Sequence, residues 1–152
     1  MFNVIVVGTD GSESAAVAVR HATELAKQGS AALHIVSAYR PVAMGTVAMA
    51  SSAGAATFDV EHVNRSVAEQ GQGVCDHAAT QARRDGVKVE LHVVSGDAAD
   101  VLVSVATEVG ADLVVVGNRG MSGGRRFILG SVPNKVSHHC PCSLLIVDTT
   151  TS

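Results

Sequence analysis

The sequence predicts an α/β fold: a single doubly wound domain with a five-stranded parallel sheet and helices on both faces. Short runs of Val, Ile and Leu alternate along the chain with Ala-rich stretches of helical period. Of the 152 residues, 47% are hydrophobic and only 3% aromatic, which suits a Val-rich sheet covered by Ala-rich helices. Alternating strands and helices favour parallel order with right-handed crossovers, and the length corresponds to one domain over residues 1–152.

The elements follow from the spacing of the apolar residues. Continuous apolar runs predict strands over residues 4–7, 32–37, 87–94, 113–116 and 143–147. Apolar residues at helical spacing predict helices over 15–29, 63–84 and 98–109, and a short fourth helix from about residue 132. Asp97 is the expected N-cap of the third helix, whereas Gly71 and Gly73 weaken the second one locally.

Charge and cysteine content exclude several classes of protein. The net charge of −3 and the pI near 6.1 argue against a nucleic-acid partner, which needs a basic surface. The longest apolar runs are too short to span a membrane, and no signal peptide is evident. Three cysteines, two of them almost adjacent, make a poor disulfide framework. We therefore expect a cytoplasmic protein.

One segment departs from this compact pattern. Residues 41–58 are rich in Ala, Gly, Ser and Met and carry no charge. So long a loop is uncommon in a small domain, and it leaves from the ligand-facing end of the second strand. We predict a flexible loop there, and both a lid over a ligand and a mobile segment without a specific role stay open.

Two strand ends carry the same short pattern. The first strand runs through Val7 into Gly8-Thr9-Asp10-Gly11, and the fourth runs through Val116 into Gly117-Asn118-Arg119-Gly120. Ligands of doubly wound folds bind at the carboxyl ends of the strands, where the winding reverses. Glycine at such a turn lets the backbone bend sharply and lets a ligand approach closely.

The second turn extends into a longer motif that ends at a helix. Nine residues separate Gly120 from Gly130-Ser131, and Pro133 suits the first turn of a helix because its missing N–H would find no partner there. Ser131 falls at or near the predicted N-cap, so free amides from Gly130 to Val132 would form an anion site. Neither a Walker A motif nor a Gly-x-Gly-x-x-Gly dinucleotide motif is present.

The pattern Gly-x-x-Gly, nine residues, Gly-Ser resembles the nucleotide-binding motif of the universal stress protein family. The resemblance covers the whole chain, including its opening segment at 5–12, the strands at 33–36 and 111–117, and the closing segment at 140–147. It implies the strand order 3-2-1-4-5, binding of ATP with or without Mg²⁺, and a homodimer formed through the last strand, Ser143–Val147. Cys140 departs from the family, which usually has a small residue there.

The resemblance also implies a set of binding residues. Asp10, beside Thr9, looks like the acid that holds the ribose, and Ile35 resembles the position whose backbone contacts adenine. The phosphate site would have two halves, one at the first glycine turn and one at the helix start. The full set is Gly8, Thr9, Asp10, Ile35, Val116, Gly117, Arg119, Gly120, Gly130, Ser131, Val132 and Pro133.

Several functions stay open at this level. The main hypothesis is an ATP-binding stress-response regulator, a sensor or switch rather than a catalyst. The alternatives are a cyclic AMP-binding member of the family, a slow ATP hydrolase, and an interaction module that binds no ligand. The segment from Gly117 to Ser131 contains no Asp, Glu or His, so no water-activating base is evident and no catalytic residue is assigned.

Other polar residues have structural interpretations beside functional ones. Asp10 and Glu13 could form a capping arrangement at the first helix. Arg125 and Arg126 could reach phosphate or a partner, although a solvated loop position is the simpler interpretation.

Histidines and cysteines are weighed in the same way. Structural metal sites usually need two ligand pairs from different parts of the chain. The motif of His138, His139, Cys140 and Cys142 offers ligands from one part only, so no metal is expected. His34 and His92 lie in similar runs on strands two and three, where packing in the sheet is the default interpretation.

Overall fold

The computed structural model describes residues 1–43, 59–118 and 129–150. In these residues five strands form one parallel sheet in the order β3-β2-β1-β4-β5. The strands are β1 (Val4–Gly8), β2 (Ala32–Tyr39), β3 (Val89–Ser95), β4 (Leu113–Gly117) and β5 (Ser143–Val147). The helices are α1 (Glu13–Gly29), α2 (Val60–Arg84), α3 (Ala98–Glu108) and α4 (Ser131–His139). The predicted fold class and strand order are confirmed.

The winding of the sheet reverses between β1 and β4. These two strands pair in register, with Ile5 opposite Leu113 and Val7 opposite Val115. On one side of them the chain winds through β2 to β3, and on the other side to β5, which lies at the sheet edge as predicted. The carboxyl ends of β1 and β4 therefore frame the crevice that such folds use for ligands.

Two apolar clusters cover the two faces of the sheet. Alternate strand residues such as Ile5 and Leu33 pack against α1 and α2, and we call this side the α1/α2 face. The residues between them, such as Val6 and Val36, pack against α3 and α4 on the α3/α4 face. This alternation follows from the two-residue period of a strand and explains why the strands read as continuous apolar runs.

Local differences from the predicted bounds have simple causes. β3 begins at Val89 rather than at residue 87, because Gly86 has φ +76° and the Val87 amide still donates to the carbonyl of Ala82. Helix α2 continues through both of its glycines. A Cβ on Gly71 would lie 2.9 Å from Cγ1 of Val93, so this glycine allows the helix to approach the sheet closely.

The loop predicted at 41–58 lies outside the described residues from position 44 onward. Its first residues are held in place, since the Val42 amide donates to Oδ1 of Asn64 at 2.7 Å on α2. Within the described ranges, none of the helices has the length and apolar character that crossing a bilayer requires.

Candidate functional site

A cavity of about 410 Å³ opens at the carboxyl ends of β1 and β4. Its walls come from the turn after β1, the ends of β2 and β4, and the start of α3 and α4. Nine of the twelve predicted binding residues line it: Gly8, Thr9, Asp10, Val116, Gly117, Gly130, Ser131, Val132 and Pro133. The structure thus brings Gly117 of the first half and all residues of the second half of the predicted phosphate site to one cavity.

The turn after β1 is built by short-range hydrogen bonds. The Thr9 amide donates to the carbonyl of Val36 at 2.8 Å, which ties the turn to β2. Gly11 has φ +80°, a conformation that side chains disfavour, and its amide donates to Oγ1 of Thr9 at 3.3 Å. These contacts place the exposed Asp10 carboxylate at the mouth of the cavity.

Asp10 does not cap α1. The N-cap is Ser12, whose Oγ accepts a hydrogen bond from the Ala15 amide at 3.2 Å. Oδ1 of Asp10 instead accepts from the Ser12 amide at 2.9 Å, a local turn of the Asx type. The capping arrangement of Asp10 with Glu13 is therefore wrong, and the second carboxylate oxygen accepts no hydrogen bond from the residues that the structure describes.

Asn118, directly after β4, organises the other side of the cavity. Its amide donates to the carbonyl of Val147, and its side-chain nitrogen donates to Oδ1 of Asp148 at 3.0 Å. Its side-chain oxygen accepts from both the amide and the hydroxyl of Thr149, at 3.1 and 2.7 Å. Sequence reasoning treated Asn118 as a variable position of the glycine motif and missed this role.

The start of α4 differs in one respect from the prediction. Gly130 is the N-cap and makes no side-chain cap, whereas Ser131 is the first helical residue. The Gly130 amide is not free, because it donates to the carbonyl of Asn118 at 3.0 Å.

Two amides remain for an anion at this helix end. Pro133 has no N–H, and the Asn134 amide donates to the carbonyl of Gly130. The amides of Ser131 and Val132 have no hydrogen-bond acceptor among the residues that the structure describes. They lie at the positive end of the helix dipole and line the cavity, so this end can bind a negatively charged group.

The charges around the cavity are sparse. Among its described lining residues, Asp10 is the charged one. Lys135 on α4 is already engaged, since its Nζ lies 2.7 Å from Oδ2 of Asp100 and 3.2 Å from Oδ1 of Asp97 on α3. The hydrogen bond from Lys135 is the main cause that lowers the pKa of Asp97. This exposed cluster joins α3 to α4 beside the cavity.

Three predicted binding residues are not among the lining residues. Ile35 is fully buried on the α1/α2 face, and the next residue, Val36, lines the cavity together with Ala38 and Leu102. The proposed contact of the Ile35 backbone with adenine stays a prediction. Arg119 and Gly120, like Arg125 and Arg126, lie outside the described residues. Alternation along β2 could have indicated Val36 and Ala38, but Leu102 gave no sequence signal.

The histidine–cysteine motif near the end of α4 does not assemble into a group of metal ligands within the described ranges. The sulfurs of Cys140 and Cys142 lie 3.9 Å apart as free thiols and are half-buried. Burial, and secondly the neighbouring Cys140, raise the pKa of Cys142 to about 11, so this thiol is protonated at neutral pH.

Comparison with known proteins places this architecture in a family. The chain is 36% identical over 150 residues to universal stress protein Rv1636 of Mycobacterium tuberculosis, covering 98% of each protein. It is 33% identical over 147 residues to universal stress protein YxiE of Bacillus subtilis, covering 97% of this chain and 99% of the relative.

A solved structure gives the same result. A universal stress protein crystallised in complex with cAMP is 33% identical, covers 98% of each chain and superposes with a TM-score of 0.70. The family model described as "Universal stress protein family" matches residues 1–148. The chain therefore belongs to the universal stress protein family.

Proposed function

We propose that this protein binds an adenine nucleotide in the cavity at the ends of β1 and β4 and acts as a ligand-controlled regulator. The observation that carries the proposal is the pair of amides on Ser131 and Val132, which have no acceptor among the described residues and line the same cavity as Asp10. The amides suit a phosphate group, and a carboxylate suits the hydroxyls of a ribose. The cAMP complex of the 33% identical universal stress protein supports the same ligand class.

ATP is the first candidate ligand because the chain carries the complete spacing Gly117-x-x-Gly120, nine residues, Gly130-Ser131. Cyclic AMP is the second, supported by that relative and by the sparse charge of the described lining. Two amides are enough for the single phosphate of cAMP, whereas the three phosphates of ATP need further donors. Those donors would come from the segment that contains Arg119 and Gly120.

Binding is favoured over catalysis. Asp10 is the titratable side chain among the described lining residues, and it is assigned to the ribose rather than to a water molecule. Hydrolysis of ATP needs a group that orients or activates water near the terminal phosphate. We expect no turnover of ATP followed over hours, and turnover that disappears in Ser131→Ala would establish the enzyme alternative instead.

The binding experiment measures equilibrium affinities for ATP, AMP and cAMP by calorimetry. Gly130→Ser is the informative variant, since Gly130 has φ −59° and ψ 162°, which serine adopts without strain. The new hydroxyl would accept a hydrogen bond from the Val132 amide and would compete with the phosphate for this donor. We expect affinity to fall roughly 10- to 150-fold, which corresponds to the loss of one hydrogen bond to a charged group.

A matched control separates this effect from a general consequence of serine. Gly73→Ser makes the same chemical change on α2, where a Cβ meets nothing within 4 Å, and it should leave affinity unchanged. If no nucleotide binds at millimolar concentration, the proposal fails. If Gly130→Ser binds as tightly as the unmodified chain, the helix start is not the phosphate site.

Asp10→Ala distinguishes the two ligands. ATP presents two free ribose hydroxyls to the carboxylate, whereas cAMP has one because its 3′ oxygen belongs to the cyclic phosphate. A hydrogen bond to a charged group contributes about 1.5–3 kcal/mol. The variant should therefore lose more affinity for ATP than for cAMP, and equal losses would contradict a ribose role for Asp10.

We also propose a homodimer formed through β5 and a cytoplasmic location. Among the described residues β5 pairs with β4 alone, and the other edge of such a strand can pair with a second copy. All three cysteines are free thiols, as expected in a reducing compartment. A monomeric mass at micromolar concentration would contradict the dimer.

A further inference from the structure

A second group of polar side chains lies on β2 and β3, apart from the nucleotide cavity. The register places His34 directly opposite Glu90, and His92 opposite Val36. All three polar side chains therefore point to the α3/α4 face, with the two histidines diagonal to each other. One ligand atom from each side chain, a ring nitrogen of each histidine and a carboxylate oxygen of Glu90, lies within 4.8 Å of the other two.

The two imidazoles are in direct contact. Nδ1 of His34 lies 2.9 Å from Nε2 of His92, and the ring centroids are 5.2 Å apart. At this distance one ring nitrogen donates a hydrogen bond to the lone pair of the other. When the donor ring adopts its other tautomer, its proton moves to the far ring nitrogen, and both facing nitrogens then offer a lone pair to a metal ion.

The spacing is close to what zinc requires. With Zn–N distances of about 2.0–2.1 Å, tetrahedral geometry separates two nitrogen ligands by about 3.3–3.4 Å. The observed 2.9 Å therefore needs a movement of roughly half an ångström. Oε2 of Glu90 lies 3.9 Å from Nδ1 of His34, and its side chain is 51% exposed, so the carboxylate can move toward the same point.

The burial of His34 suits a metal ligand as well. The residue is only 6% exposed. Neutral imidazole is the form that binds metals, and a buried position disfavours the charged imidazolium.

We propose that His34, His92 and Glu90 form a binding site for a transition-metal dication of the zinc class. Two imidazoles and one carboxylate match the ligand preference of zinc, whereas magnesium prefers oxygen ligands. A water molecule would complete the tetrahedron on the side of the exposed Glu90. This site is separate from the nucleotide cavity and does not depend on the proposed nucleotide ligand.

The test measures Zn²⁺ affinity of the full chain by competition with a chromophoric chelator. We expect one equivalent of Zn²⁺ to bind the unmodified chain. Loss of an outer-shell partner of a metal ligand costs about 10–100-fold in affinity, so His92→Gln, which removes a ligand, should cost at least about 100-fold. Glu90→Gln should cost about tenfold. Both side chains are partly exposed, so these variants should fold.

Controls address the other metal-binding groups of the chain. His139→Gln removes an exposed histidine outside the site, and the double variant Cys140→Ser/Cys142→Ser removes the thiol pair. Both should bind Zn²⁺ like the unmodified chain, and bound Co²⁺ should show no thiolate-to-metal charge-transfer band. Equal affinities of His92→Gln and the unmodified chain, or loss of binding in the cysteine variant, would overturn the proposal.

Discussion

The two faces of the sheet use the same strands but are covered very differently. Helices α1 and α2 have 17 and 25 residues, whereas α3 and α4 have 11 and 9. At 1.5 Å per residue, the first pair extends about 26 and 38 Å and the second about 17 and 14 Å. The cavity lies at the ends of β1 and β4, where the two short helices begin, and the first residues of both helices line it.

Polar groups follow the same division. On the α1/α2 face, Cys75 is fully buried, and burial raises its pKa to about 11, so the thiol stays protonated and inert. The α3/α4 face contains the contact between His34 and His92 and the two amides at the start of α4 that have no acceptor within the described part of the chain. The α1/α2 face thus carries the inert thiol, and the α3/α4 face carries the groups that we propose as ligand-binding groups.

The largest expected effect compares one leucine from each face. Leu33→Ala removes a fully buried side chain from the α1/α2 face and should lower the free energy of unfolding by about 2–5 kcal/mol. Leu102→Ala enlarges a cavity that already exists, so its cost should be smaller, but it should change nucleotide affinity. Urea denaturation and binding measurements on both variants check this. Equal losses of stability would mean that the two faces are packed alike.

An intermediate effect is expected from two glycines of α2. Gly73→Ala should stabilise the protein by about 0.8–1.0 kcal/mol, because a Cβ there meets nothing within 4 Å and alanine favours the helix. Gly71→Ala should destabilise it, because the new Cβ would lie 2.9 Å from the Val93 side chain. Opposite shifts of the denaturation midpoint confirm close packing on the α1/α2 face. A stabilising Gly71→Ala would show that this face has spare space.

The smallest effect concerns the pH dependence of stability. Burial lowers the pKa of His34, with Glu90 opposing it and His92 and Lys88 adding smaller lowering contributions. The unfolded chain, with an ordinary histidine pKa near 6.5, then binds a proton more readily than the folded chain. The contribution of this group to the free energy of unfolding is fully present above about pH 6.5, and it is lost as the pH falls through the pKa of the folded state.

As the pH falls from 7.5, the free energy of unfolding should therefore decrease less steeply for His34→Gln than for the unmodified chain. Denaturation midpoints measured across this window check the sign. His138→Gln is the matched control, because this histidine is exposed on α4. If both variants retain the full pH dependence, the buried imidazole is not its source.

The fold could be predicted from the sequence because its information is local. Apolar runs bounded by Gly8 and Gly117 mark two neighbouring strands, and Pro133 marks the first turn of α4. Each of these signals depends on a few consecutive residues. The strand order came from the resemblance to the family, and the register of the sheet then confirmed it.

The parts that could not be predicted depend on contacts between distant residues. The Gly130 amide is taken by Asn118, and no local pattern indicates that pairing. Glu90 meets His34 because of the register between β2 and β3, whereas matching the two similar sequence runs would have placed His34 opposite His92. Such details are set by the three-dimensional arrangement of strands, not by the spacing within one segment.

The hydrogen bond between the Asn118 carbonyl and the Gly130 amide has a consequence for engineering. It joins the two ends of the intervening residues 119–129 at 3.0 Å, while the Asn118 side chain fastens the same point to the C-terminal residues. These bonds position the neighbouring cavity residues Gly117 and Ser131 at the two ends of that segment. We expect that replacing the segment with that of a relative would leave these anchoring hydrogen bonds in place.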